Sequence, residues 1–129
     1  MEILSLKLGV KTPEVFFDAQ QGILEIKGKS IPENAYNFYK KLLDWIDGYK
    51  KQPAAKTKLI FQLTYFNSSS AEYILDIMKK IEELQNTEKQ VEIDWLYDEE
   101  DEDMLSIGED FASLLKIPLK MKAISAESD

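Results

Sequence analysis

From Thr57 to Phe66 the chain reads Thr-Lys-Leu-Ile-Phe-Gln-Leu-Thr-Tyr-Phe, rich in β-branched and aromatic residues and apolar at consecutive central positions. That pattern predicts a strand covered on both faces. Asn67-Ser68-Ser69-Ser70 then interrupts it, and Ile74, Ile77, Met78, Ile81 and Leu84 follow at the i, i+3, i+4, i+7 spacing of a helix with one buried face. The same alternation recurs on both sides. Upstream, Ser30-x-x-Glu33 with Pro32 in the first turn predicts a helix start, and Ala35, Phe38, Tyr39, Leu42, Ile46 and Tyr49 supply its apolar stripe. Gly48 and Pro53 mark its end. Downstream, Val91, Ile93, Trp95 and Tyr97 alternate as a strand and lead into a helix with Met104, Ile107, Phe111, Leu114 and Leu115 on its buried face. Ile117 to Ile124 reads as a last strand, and Pro118 places it at an edge.

The opening of the chain has a different rhythm. Leu4, Leu6, Leu8 and Val10 alternate, Glu14 to Phe17 is a short extended piece, and Gln20-Gln21-Gly22 punctuates before Leu24 and Ile26 alternate with Glu25 and Lys27. These pieces predict an antiparallel opening. Strands separated by helices imply right-handed crossovers and parallel pairing. The expected fold is α/β: a single domain over residues 1–124, with a mixed, mostly parallel sheet, about three crossover helices, and a loose polar tail over 125–129. If the strands ending at Lys29, Phe66 and Tyr97 are parallel, the segments Ser30 to Asn34, Asn67 to Ser70 and Asp98 to Asp103 emerge on one rim. In open α/β sheets that rim is where sites form.

Three consecutive hydroxyls at a strand-to-helix exit are suited to receiving a phosphate. Asn67 or Ser69 is placed to cap the helix, and Ser69-x-x-Glu72 has the spacing of a capping box. The unpaired amides and positive dipole end of the first turn favour a nearby anion by about 0.3–1 kcal/mol. Local sequence alone favours the simpler role, in which the serines only cap the helix.

Composition narrows the chemistry. With 129 residues, 44% of them hydrophobic and 31% charged, the chain can bury a core without disulfide or metal staples. No run is long and apolar enough for a membrane span, and the first residues lack the flanks of a signal peptide, so a cytoplasmic protein is expected. The absence of cysteine agrees with a reducing compartment. A formal charge of −8 argues against nucleic acid as a partner. The only basic concentration, Lys50-Lys51 with Lys56 and Lys58, surrounds Gln52-Pro53-Ala54-Ala55 and reads as a solvated connection.

Residues for catalysis are scarce. There is no histidine to act as a base near neutral pH and no cysteine nucleophile, and the five glycines never form a phosphate-cradling loop. No cofactor is implied. Six acids in succession, Asp98 to Asp103, with Glu109 and Asp110 beyond, could in principle hold a divalent cation. They lack the alternating ligands and central glycine of an EF-hand, and acids in a helix's first turn are stabilised by its dipole in any case. They read as a solvated, partner-facing edge without a metal. Most aromatics fall at core spacings; Phe66, at the rim beside the serines, is the exception.

Several motifs together are specific. Thr12-Pro13-Glu14-Val15-x-Phe17-Asp18, Gly22-x-Leu24-x-Ile26-x-Gly28-x-Ser30-x-Pro32-Glu33-Asn34-Ala35, Phe38-Tyr39, Trp45 and Tyr65-Phe66-Asn67-Ser68-Ser69-Ser70 occur in order. Trp95-x-Tyr97, Asp101-Glu102-Asp103-Met104 and Gly108-Glu109-Asp110-Phe111 complete the set. From Thr12 to about Leu119 the chain resembles the SiaC family of bacterial regulatory phosphoproteins. The resemblance implies a fold like the STAS domains of anti-anti-sigma factors, with no catalysis of its own. It also implies a partner-switching pathway, in which a dedicated Ser/Thr kinase phosphorylates the protein and a PP2C-type phosphatase reverses this. The unphosphorylated form would bind an effector such as a diguanylate cyclase, with control of biofilm or aggregation as output.

In that family the modified hydroxyl directly follows the Asn of the Tyr-x-Asn segment, which is Ser68 here. Threonine is usual there, and serine retains the acceptor oxygen; Ser69 and Ser70 are the alternatives. The expected partner surface comprises Tyr65, Phe66, Asn67, Ser68 and Ser69, with Ser30, Asn34, Asp101 and Asp103 along the rim. Two other readings are a constitutive interaction module of the same fold and a divalent-metal-dependent hydrolase using the acidic rim.

Overall fold

The computed structural model describes residues 1–125. Apart from Ser125, the tail expected over 125–129 lies outside the described residues. Strands β1 (Leu4–Leu6), β2 (Glu14–Asp18) and β3 (Ile23–Ser30) are followed by helix α1 (Ala35–Tyr49) and strand β4 (Lys56–Phe66). Helix α2 (Ser68–Glu82) runs through a short 3₁₀ turn (Glu83–Asn86) into β5 (Gln90–Asp98), and α3 (Glu102–Ser113) and β6 (Leu119–Ile124) complete the domain. The six strands form one sheet in chain order. β1, β2 and β3 pair antiparallel, and β3 to β6 pair parallel. This is the expected single α/β domain with an antiparallel opening.

The chain-order sheet corrects one expectation. Each parallel crossover steps in the same direction, so right-handed connections must place every crossover helix on the same side. Leu24, Leu59, Ile93 and Leu119 are neighbours across four strands, as are Ile26, Phe61 and Trp95. All are buried, in one core with Tyr39, Leu42 and Ile46 of α1, Ile74, Ile77 and Ile81 of α2, and Met104 and Phe111 of α3. β4 is therefore covered on one face only. Its other face carries Lys58 and Ile60, beside Glu92 and Asp94 of β5.

That helix-free face is organised by charge. Lys58 Nζ lies 3.4 Å from Glu92 and 3.5 Å from Asp94, Lys122 Nζ donates to Asp94 at 2.8 Å, and Lys120 pairs with Glu92. The five side chains form a zigzag across β4, β5 and β6. Asp94 is buried beneath it, and among the described residues its Oδ1 has no hydrogen-bond partner.

Three smaller expectations also change. Leu8 and Val10 do not extend β1 and stand exposed. α1 begins at Ala35, because Asn34, not Ser30, caps it by accepting from the Asn37 amide at 3.0 Å. On α3 the inner face holds Met104, Gly108 and Phe111, while Leu114 is exposed. Gly108 is required by contact: a β-carbon there would lie 2.6 Å from Trp95 Cδ1.

Candidate functional site

The strands before α1, α2 and α3 end on one rim because β3, β4 and β5 are parallel. At the end of β4 the ladder is irregular: Gly28 pairs with Leu63, but Lys29 pairs with Tyr65, so Thr64 has no partner residue. An extra residue in one strand reverses the facing of everything after it. Tyr65 consequently points outward and is 55% exposed. Phe66 turns inward, edge-on to Trp95 with ring centroids 6.2 Å apart and near Phe111 at 6.1 Å. Of these two aromatics Tyr65 is therefore the one available at the rim; Phe66, expected there, packs against the core.

Asn67 caps α2. Its Oδ1 accepts from the Ser70 amide at 3.0 Å and from Ser69 Oγ at 3.1 Å, so the cap is Asn67 alone and the Ser69-Glu72 box does not form. The three serines occupy the first turn and have different fates. Ser70 is fully buried, and its hydroxyl donates to the Ser30 carbonyl at 3.1 Å. Ser69 is exposed with its hydroxyl on Asn67. Ser68 is exposed, and among the described residues its hydroxyl has no hydrogen-bond partner.

Behind this turn lies a buried polar cluster. Ser30 Oγ is 2.6 Å from the Tyr39 hydroxyl and 3.0 Å from Ser70 Oγ. Burial raises the Tyr39 pKa, with the Ser30 and Ser70 hydrogen bonds opposing, so the Tyr39 phenol stays protonated. Ser30 is entirely buried and cannot meet a partner, which corrects its place in the expected surface; the same burial removes Ser70 from the accessible acceptors. Asn34 is exposed and engaged as the cap of α1.

The acidic segment follows β5 on the same rim. Asp98 Oδ1 accepts from the Glu100 amide at 2.9 Å, and Asp101, partly buried, caps α3 by accepting from Met104 N at 3.0 Å. Glu102 and Asp103 occupy the first turn of α3, where the dipole favours them. These acids edge a cavity of about 540 Å³ whose floor includes Leu63, Leu96, Tyr97 and Ile124. Among the described residues no three acidic side chains stand close enough together to hold a metal ion. On the opposite side of the molecule, Lys50 pairs with Glu83 and Lys58 with Glu92 and Asp94, so the lysines near Pro53 are partly neutralised.

Two features were not anticipated. Tyr36, in the first turn of α1, is as exposed as Tyr65; its place off the Phe38, Tyr39, Leu42 stripe was the available signal. The charged zigzag was also legible as an alternation, since Glu92 and Asp94 interleave with the buried Ile93 and Trp95, and Lys120 and Lys122 interleave with Leu119 and Met121.

The described residues form a one-sided α/β domain that presents an exposed serine and an outward tyrosine at a helix start. The chain belongs to the SiaC family of regulatory phosphoproteins, whose family model matches residues 6–124. It is 30% identical over 112 residues to an uncharacterized protein of Pseudomonas aeruginosa (strain UCBPP-PA14), covering 87% of this chain and 89% of that one. The crystal structure of apo-SiaC from Pseudomonas aeruginosa superposes with a TM-score of 0.87 at 28% identity, over 95% of this chain and 100% of the other. SiaC from that organism has also been solved in complex with the diguanylate cyclase SiaD, which it activates; that chain matches with a TM-score of 0.88 at 28% identity, over 94% of this chain and 99% of it. No helix among the described residues is long and apolar enough to cross a membrane.

Proposed function

We propose that this protein is a non-enzymatic, phosphorylation-switched regulator of a bacterial partner-switching pathway, with Ser68 as the modified residue. A Ser/Thr kinase installs the phosphate, a PP2C-type phosphatase removes it, and the unphosphorylated form binds the effector. The observation that carries the reading is the inequality of the three serines. Ser70 is buried, Ser69 is hydrogen-bonded to the cap, and Ser68 alone combines exposure with an uncommitted hydroxyl. Membership of a regulatory phosphoprotein family supports it. The effector is a diguanylate cyclase, as for the SiaC of Pseudomonas aeruginosa. It docks on Tyr65, Asn67, Ser68 and Ser69, flanked by Asn34, Asp101 and Asp103.

The switch acts through charge at that surface. Phosphorylation adds about −1.5 to −2 charges to a chain whose formal charge is −8. Packing a partner over the dianion without a cation opposite it costs several kcal/mol, or more than about a hundredfold in affinity. The test is phosphopeptide mapping after reaction with the cognate kinase, paired with effector affinity for the modified and unmodified proteins. Phosphate confined to Ser68 with a large loss of affinity is expected. A phosphate mapped elsewhere would overturn the site assignment, and equal affinities would leave the protein a constitutive interaction module.

A further inference from the structure

The buried hydroxyls of Ser30, Tyr39 and Ser70 lie outside the exposed partner surface, yet they sit directly behind it. Their proton directions can be worked out. Ser70 Oγ donates to the Ser30 carbonyl at 3.1 Å, so its remaining capacity toward Ser30 Oγ, 3.0 Å away, is as acceptor. Ser30 Oγ then donates to Ser70 and can only accept from the Tyr39 hydroxyl at 2.6 Å. Every proton is used once in the order Tyr39 to Ser30 to Ser70 to the Ser30 carbonyl.

The relay ends where the serine-bearing turn begins. The Ser30 carbonyl also accepts from the Asn67 amide at 3.1 Å, so the residues on both sides of Ser68 and Ser69 are tied to one oxygen at the end of β3. Tyr39 holds α2 a second time, its ring stacked on Tyr73 at 5.3 Å and 4°. Capping does not call for any of this, because Asn67 Oδ1 already satisfies the Ser70 amide. Alanine at position 70 would favour the helix, and three buried hydroxyls carry a desolvation cost that apolar side chains avoid. What the hydroxyls add is a fixed geometry for residues 67 to 70.

We propose that Tyr39, Ser30 and Ser70 are positioning residues for the Ser68 switch. They lock the first turn of α2 to β3, so that a phosphate on Ser68 meets a preformed helix start with its open amides already aimed. The inference rests on Ser68 being the modified residue, but it can be examined without kinase or effector. The material is the full chain with phosphoserine installed at position 68 during translation, unaltered elsewhere or combined with Ser70→Ala or Tyr39→Phe. Phosphorus NMR titration reads the second ionisation of the phosphate, and amide hydrogen exchange reads the turn.

In the otherwise unaltered protein the second pKa should fall below the usual value of about 6, because the helix start favours the dianion. Ser70→Ala should return it toward that value and speed exchange of the Ser70 and Ala71 amides, both bonded to Asn67, by about tenfold or more. Tyr39→Phe, which keeps the ring and its stacking, should move both readouts the same way by less, and it decides the matter if Ser70→Ala does not fold. A phosphate pKa and local exchange unaffected by the variants, with only global stability reduced, would overturn the proposal and leave the relay as core packing. Failure of the Ser68 assignment is a separate result, read from where the kinase places its phosphate.

Discussion

Lys29 pairs with Tyr65, one residue beyond the partner that the register of Gly28 with Leu63 would give it. The skipped residue, Thr64, donates its hydroxyl to the Gly28 carbonyl at 3.3 Å, and Gly28 adopts a φ of +112°, which a side chain there would resist. Strict alternation from Leu59, Phe61 and Leu63 would have sent Tyr65 into the core and Phe66 to the surface. The bulge exchanges them immediately before the serines. It therefore decides which of these two aromatics a partner can meet.

This exchange predicts opposite consequences for adjacent alanine substitutions. Tyr65→Ala should lower effector affinity by about tenfold or more, as for an exposed aromatic anchor, with stability changed by less than about 0.5 kcal/mol. Phe66→Ala should destabilise the fold by about 2–4 kcal/mol through lost packing on Trp95 and Phe111. Calorimetric binding and urea unfolding of both variants separate the two outcomes; a stability loss confined to Tyr65→Ala would refute the assignment of faces.

The acidic segment should bind no divalent cation tightly. Asp98 and Asp101 already spend carboxylate oxygens on the Glu100 and Met104 amides, and the remaining acids are spread over a turn and a helix start. A tight calcium site needs six or more converging oxygens. Titration calorimetry with Mg²⁺ and Ca²⁺ should show no stoichiometric heat in the micromolar range. Detection of such a site would reopen a metal-dependent activity.

Much of this architecture was legible because its signals are local. The stripes Ile74, Ile77, Met78, Ile81 and Tyr39, Leu42, Ile46 specify helices, and helix-separated strands specify parallel pairing. What was not legible depends on partners distant in sequence. Ser30 with Pro32 and Glu33 imitates a helix start, but its hydroxyl meets Ser70, 40 residues away, and its backbone pairs with Phe66. The run Leu59-Ile60-Phe61 looks two-sided because Ile60 is apolar, although its neighbours Glu25 and Asp94 show that it shares the charged face. The bulge leaves no mark in Thr64-Tyr65-Phe66, where no glycine or proline announces it. At the site itself, the resemblance singled out Ser68, but the separate fates of Ser69 and Ser70 depend on three-dimensional packing.

Gly108→Ala tests the close approach of α3 to the sheet. Its β-carbon would fall 2.6 Å from Trp95 Cδ1 and 2.7 Å from Nε1, within reach of the bond by which Trp95 Nε1 donates to the Met104 carbonyl at 3.0 Å. Better intrinsic helix propensity, worth about 1 kcal/mol, acts in the other direction. Overpacking against a buried indole should outweigh it, giving a net loss of about 1–3 kcal/mol in urea unfolding. A stabilised variant would show that α3 can move away freely.

The zigzag on the helix-free face predicts a pH dependence. The Lys120 hydrogen bond, with the charges of Lys120 and Lys58 assisting, holds the Glu92 carboxyl down to about 2 from 4.5, against the desolvation that pushes it up. A carboxyl depressed in the folded state stabilises above its unfolded pKa. That stabilisation is lost as the pH falls from about 4.5 toward about 2. Glu92→Gln should therefore unfold more readily than the parent at neutral pH, with the difference shrinking across this acid window. Urea midpoints measured at several pH values check it; a difference independent of pH would assign the effect to packing.

Phosphorylation of Ser68 should block the effector without loosening the fold, because the two effects depend on different neighbours. Within the protein the phosphate stands at the first helical position after the Asn67 cap, where the dipole and the unpaired amides favour an anion by about 0.3–1 kcal/mol. Repulsion from the acids on the same rim opposes this. A pair of unit charges separated by about 8 Å in water repels by only about 0.5 kcal/mol before screening. Thermal stability should thus change by no more than a few degrees. Binding is the sensitive quantity, since an effector seated on Tyr65 and the serine turn must strip water from the dianion. Ser68→Ala should remain binding-competent and refuse the phosphate, while Ser68→Asp should bind more weakly than the parent and less weakly than the phosphoprotein, having one charge in place of nearly two. Affinity and melting temperature measured for the four forms decide the mechanism. A steep stability loss in the phosphoprotein alone would replace electrostatic exclusion with local unfolding of α2.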